Sequence, residues 1–183
     1  MIGQVLNSIH DGKITDYISS FILDRLREKY DVEFDVLAIG NYDMASGRVV
    51  AVCCARDDSK ICFKVIADRK NIQDSYIRAY AAREVEKALL FNLYEYGIVG
   101  RLEITLFKED VYYGILVVLD NLQTKEEVEK RIEMSVSQLG RSLTLDVFVL
   151  NYYDYTTLSY ENRRFLDKSF MRRFYPVFEF RFG

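Results

Sequence analysis

Phe34 to Asp43, FDVLAIGNYD, returns 111 residues later as Leu145 to Asp154, LDVFVLNYYD. Aligned without a gap, Asp35, Val36, Tyr42 and Asp43 coincide with Asp146, Val147, Tyr153 and Asp154, and most positions between them exchange one apolar residue for another. A helical pattern precedes each copy. The spacing predicts an αβ unit used twice, at about residues 13–43 and 124–154. Self-similarity of this kind constrains architecture more firmly than any single short motif.

Working outward from the first copy, Ile14, Tyr17, Ile18, Phe21, Ile22 and Leu26 recur at helical spacing, which predicts an amphipathic helix over 13–30 that packs one face. Val32–Gly40 carries strand chemistry, and NYDMASG after it suits a turn. Arg48–Arg56 and Lys60–Asp68, joined by a short polar DDS, form a β-hairpin. Asn71 or Asp74 caps a helix through Tyr96, with Ile77, Ala81, Val85, Ala88, Leu89 and Leu93 as its buried stripe and Gly97 as its stop. That helix is apolar around much of its circumference, so a central position is expected.

Arg101–Phe107 and Val111–Asp120 make a second hairpin. Thr124 with Glu127 three residues on is a capping box that opens a helix over Val128, Ile132, Val136 and Leu139, closed by Gly140. The second copy of the strand, Leu143–Leu150, follows. A last helix is expected over Ser159–Phe174, burying Leu166, Phe170 and Phe174, and an edge strand over Val177–Phe182 after Pro176.

The element order is therefore αβββαββαβαβ, without a linker or composition break, which reads as one α+β domain spanning 1–183 with helices packed on a mainly antiparallel sheet. Residues 60–150 match the order of a ferredoxin-like, or split βαβ, core. The first 120 residues, taken alone, resemble in element order the small dimeric secretion chaperones; that resemblance implies a non-enzymatic partner-binding role and a homodimer.

Composition narrows the function classes. The chain of 183 residues is half hydrophobic and 29% charged with a single Pro, which excludes a disordered chain. A net charge of −3 argues against duplex nucleic acid as partner, since neutralising phosphates needs a surplus of Lys and Arg. The first twenty residues lack the pattern of an export signal, and no span of 18 apolar residues is present. Three Cys, an odd number, fit a reducing compartment. A cytoplasmic protein away from the membrane is expected.

Four groups of residues are candidates for function. If the repeated units face each other, Tyr42 and Asp43 with Tyr153 and Asp154 could line one cleft, the carboxylates holding a hard cation or sharing a proton; the alternative is that each Asp caps its own turn. Tyr152, Tyr155 and Tyr160 belong to a tyrosine cluster suited to a protein interface or to packing on the last helix. Arg164, Lys168 and Arg172 form a basic stripe that could receive an acidic peptide, a phosphate or single-stranded nucleic acid, or simply be solvated. Cys53, Cys54 and Cys62 lie on the first hairpin: if Arg56 faces Ser59, Cys53 stands across from Cys62, whereas a three-residue loop brings Cys54 opposite. Either pair could oxidise or take part in a thiolate site, and as buried thiols all three would act as small hydrophobes.

No catalytic residue is assigned. His10 is the one histidine and has no nucleophile signature near it, Gly-rich phosphate loops are absent, and no cofactor or metal is expected. The leading expectation is a non-enzymatic adaptor that works through protein–protein contact, with self-association through a sheet edge or helix. Behind it stand a small-molecule or cation site between Asp43 and Asp154, with or without catalysis, and a nucleic-acid binder.

Overall fold

The computed structural model describes the backbone of residues 2–40, 43, 45–108, 111–160, 166, 168–171 and 173–183, and the side chains of these except 2–14, 107, 108, 159, 160, 168 and 169. The elements are α1 (Ile2–Tyr30), β1 (Phe34–Ile39), β2 (Val49–Ala55), β3 (Cys62–Ala67), β4 (Ile72–Asp74), α2 (Tyr76–Glu95), β5 (Gly100–Lys108), β6 (Val111–Leu119), α3 (Lys125–Ser137), β7 (Ser142–Leu150), α4 (Tyr152–Tyr160), α5 (Lys168–Met171) and β8 (Phe178–Phe182). This is a mixed α+β fold with two four-stranded sheets. Within it the chain divides into two compact units, 1–79 and 80–183.

The first unit is an antiparallel meander in the order β1-β2-β3-β4. Alternation along β2 and β3 sends Val49, Ala51, Cys53, Phe63, Val65 and Ala67 to one face, and Ile22 and Leu26 of α1 cover it. Tyr17, expected in the buried stripe of that helix, is exposed. Four rings close the core: Tyr76 lies 4.6 Å from Tyr30, 5.0 Å from Phe34 and 5.3 Å from Phe63, measured between centroids. Asp74 pins this corner, taking hydrogen bonds from the Tyr30 hydroxyl at 2.7 Å, the Lys29 ammonium at 2.8 Å and the Tyr76 amide at 3.1 Å.

The hairpin register places Cys54, not Cys53, opposite Cys62, and the two are joined as a disulfide. Cys53 points to the opposite, buried face as a free thiol, because neighbouring strand residues alternate sides. Burial, followed by the nearby Asp74 charge, pushes its pKa up to about 11.

The second unit has three layers around a sheet ordered β5-β6-β7-β8. Its β5/β6 and β7/β8 pairs are antiparallel, and β6/β7 are parallel neighbours joined through α3. On one face Leu102, Leu116, Leu145 and Val147 pack against Val85, Leu89 and Leu93 of α2 and Val128, Ile132 and Val136 of α3. On the other face Ile115, Val117, Phe148 and Leu150 pack against Leu158, Leu166, Phe170, Met171 and Phe174. The expected capping box is formed, Thr124 and Glu127 bonding each other's backbone amides, and Gly97 and Gly140 stand at φ 73° and 60° after α2 and α3, the left-handed geometry that ends helices.

The ferredoxin-like arrangement expected over 60–150 is not formed. That core would place the strand at 62–67 in one sheet with those at 100–150, with another strand between the two that α3 connects. Instead β3 has both edges occupied by β2 and by β4, a short strand where only a helix cap at Asn71 or Asp74 is expected, and β6 lies directly beside β7. The last strand, β8, occupies a sheet edge as Pro176 suggests. The expected helix over 159–174 differs too. Helix α4 begins earlier, at Tyr152, because Asn151 caps it, with its Oδ1 accepting the Asp154 amide at 2.9 Å.

Candidate functional surfaces

The repeated strand carries its aspartate to the face away from the preceding helix in both units. Asp35 on β1 is exposed and meets Arg56 at 2.7 Å. Asp146 on β7 is only 4% exposed. Its carboxylate accepts from Arg181 Nε at 2.8 Å and Nη2 at 3.3 Å and from the Tyr113 hydroxyl, so β6, β7 and β8 are tied by one group. Hydrogen bonding to Asp146 raises the Arg181 pKa, and burial followed by the same bond raises that of Tyr113. A cleft of about 230 Å³ opens here, lined by Asp146, Phe148, Glu179 and Arg181 with backbone neighbours Val147 and Phe180. Three donors on the carboxylate make this an internal ion pair. Holding a cation there would mean displacing them.

Two further polar residues on the same sheet face hold the covering segment in place. Arg101 donates to the Leu158 carbonyl at 2.9 Å near the C-terminal end of α4, and the Glu103 carboxylate accepts from the Leu166 amide. Backbone groups at a helix end need such partners when buried.

The residues singled out from sequence are placed as follows. Asp43 belongs to the first unit, where its side chain accepts from the Ala45 amide and the Ser46 hydroxyl, and these bonds, the hydroxyl foremost, lower its pKa. Asp154 belongs to the second, where Asn151 Nδ2 donates to it at 2.9 Å in the first turn of α4. Each carboxylate serves a local cap. Tyr152 and Tyr153 are exposed on α4, whereas Tyr155 turns inward, its pKa raised by burial. Tyr42, Arg164 and Arg172 lie outside the described residues, as do the side chains of Tyr160 and Lys168. Among the described residues no group of three or more His, Cys, Asp or Glu is placed to hold a metal, and no helix is long and apolar enough to cross a membrane.

Sequence reasoning missed the outer face of α2. The helix buries Val85, Leu89 and Leu93 but is not enclosed: Ile77, Tyr80, Phe91 and Tyr94 are 59%, 45%, 66% and 71% exposed. Between them, Glu84 and Lys87 bond at 3.1 Å on the surface. The signal was present, since the helix is apolar on more sides than one packed face requires.

No family model matches the chain, and no curated protein matches it. Its class is that of mixed α+β proteins with two separate sheets. Within that class, the chain is similar to the crystal structure of a DUF5037 family protein from Ruminococcus gnavus, with a TM-score of 0.63 and 16% identity over 91% of this chain and 90% of that one. A likeness at that identity is one of fold.

Proposed function

We propose that the protein is a non-enzymatic binding protein, an adaptor that acts through protein–protein contact. One observation supports this reading: α2 presents Ile77, Tyr80, Phe91 and Tyr94 to solvent along one face while its opposite face is anchored in a core. Aromatic side chains bury large area at small entropic cost and dominate interface hot spots. On an anchored helix they are already ordered, so little freedom is lost on binding. The Asp43 and Asp154 carboxylates give no comparable support to a ligand site, because each is engaged in a cap of its own unit.

The test is quantitative capture from lysate of the source cells with the immobilised full chain and with a Phe91→Ser, Tyr94→Ser variant. A protein retained by the first and lost with the second is the expected result. Identical retention by both overturns the reading.

A further inference from the structure

The outward residues of α2 fall at 77, 80, 84, 87, 91 and 94, an alternating spacing of three and four. That is the spacing of a coiled-coil seam, in which the side chains stay on one face over the whole length of the helix. The order of chemistries along the seam is Ile, Tyr, Glu, Lys, Phe, Tyr, so apolar residues occupy both ends and opposite charges the middle.

We infer that this face pairs with the same face of a second copy of the chain, the two α2 helices running antiparallel about a twofold axis between Val85 and Glu86. The inference rests on the reading of α2 as a contact surface and adds the partner. About that axis every layer is complementary. Ile77 meets the partner's Tyr94, Tyr80 meets the partner's Phe91, Glu84 meets the partner's Lys87, and Lys87 meets the partner's Glu84.

Charge decides the direction. Parallel helices in register would set Glu84 against the partner's Glu84 and Lys87 against the partner's Lys87, and like charges facing each other are unfavourable. The antiparallel arrangement instead extends the ion pair already present at 3.1 Å within each copy into a network of four charges. Ala81 and Ala88 flank the seam on one side and Arg83 and Leu90 on the other, and packed helix axes lie roughly 8–10 Å apart. The contact is isologous and closes on itself, so it yields dimers and not filaments.

A seam of one 20-residue helix per copy spans about 30 Å and lies at the small end of specific interfaces, below roughly 1,200 Å² in total. A dimer of that size is expected to depend on protein concentration.

The experiment is sedimentation velocity on the full chain across micromolar to near-millimolar concentrations, with circular dichroism confirming that each variant is folded. The wild type should move from the 21.5 kDa monomer toward twice that mass. Phe91→Asp should weaken self-association by at least about tenfold. Glu84→Lys and Lys87→Glu should each weaken it alone, but an equimolar mixture of the two should recover it, because every charged layer of the mixed dimer is again complementary. A wild type that stays monomeric throughout overturns the inference, as does a dimer indifferent to Phe91→Asp. Single charge variants that do not recover on mixing overturn the antiparallel register. If the chain is monomeric yet captures a different protein through Phe91 and Tyr94, self-pairing fails and the binding role stands; if neither occurs, both fall.

Discussion

Asp146 and Arg181 stand directly opposite each other on β7 and β8, with the guanidinium Nε 2.8 Å from the carboxylate. The corresponding aspartate of the first unit, Asp35, is paired with Arg56. Both arginine side chains are equally exposed, but the Asp146 carboxylate is enclosed while that of Asp35 is about half exposed. Removing the arginine therefore has different consequences, since only in the second unit does it strand a carboxylate away from water. Arg181→Ala should lower the denaturation midpoint clearly, and Arg56→Ala should leave it nearly unchanged. Urea denaturation midpoints compare them; equal losses would mean that carboxylate burial is not what sets the cost.

Stability at low pH should depend on Asp74. Burial alone pushes its carboxyl up, but the bonds from Lys29, Tyr30 and the Tyr76 amide outweigh it and hold the pKa below the ordinary 3.8. A carboxylate with a depressed folded pKa stabilises above its unfolded value and loses that contribution as pH falls through the folded one. Lys29, raised above 10.5 first by its bond to Asp74, contributes below that pH and loses its contribution as pH rises through the folded value. Asp74→Asn should cost about 2 kcal/mol at neutral pH and flatten the stability profile below pH 4. A variant with an unchanged acid limb would show that other carboxylates control it.

The disulfide fixes a thiol count. With Cys54 and Cys62 joined, denaturation in a non-reducing buffer exposes one thiol, Cys53, of the three cysteines. A protein held reduced in a cytoplasm yields three. Alkylation at the moment of lysis, followed by mass measurement, separates these states. The small loop closed by the pair gives an entropic stabilisation of roughly 2–3 kcal/mol at most, so the reduced hairpin, still paired along β2 and β3, should remain folded. In the native protein Cys53 should resist alkylation at mildly alkaline pH, given its burial and a pKa of about 11.

The capping box of α3 offers a local test of helix contribution. Thr124→Ala removes the hydroxyl that accepts from the Glu127 amide and should cost about 1 kcal/mol. Glu127→Ala removes the reciprocal bond to the Thr124 amide. The two losses together should fall short of their sum in a double-mutant cycle, because each bond orients the other; strict additivity would deny that coupling.

Features that depend on near neighbours were legible in the sequence. The α3 cap, both hairpins and the edge position of β8 follow from residues a few places apart. Features that depend on which strand edges meet were not. Nothing in residues 60–68 tells that β3 is flanked by β2 and by the three residues Ile72–Asp74, and once both its edges are occupied it cannot join the sheet of β5 to β8. The early start of α4 was hidden by composition, since Tyr and Thr are indifferent helix formers and the Asn151–Asp154 cap outweighs them. Asp146 is visible in the sequence as a charge within an apolar strand. Its partners lie 33 and 35 residues away in sequence, a separation no local pattern reports.

Strand β8 is the last of its sheet in sequence, and it seals an edge of β7. A ribosome delivers the chain from its N-terminus, so the first sheet has all its strands once Asp74 has emerged, while β7 waits a further 28 residues beyond Leu150 for Phe178 to arrive. During that interval the apolar strand Leu145–Leu150 has an unpaired backbone edge, the kind of template on which nascent chains join one another. The order of emergence thus makes the second unit, and not the first, the half of this protein most in need of a chaperone during translation.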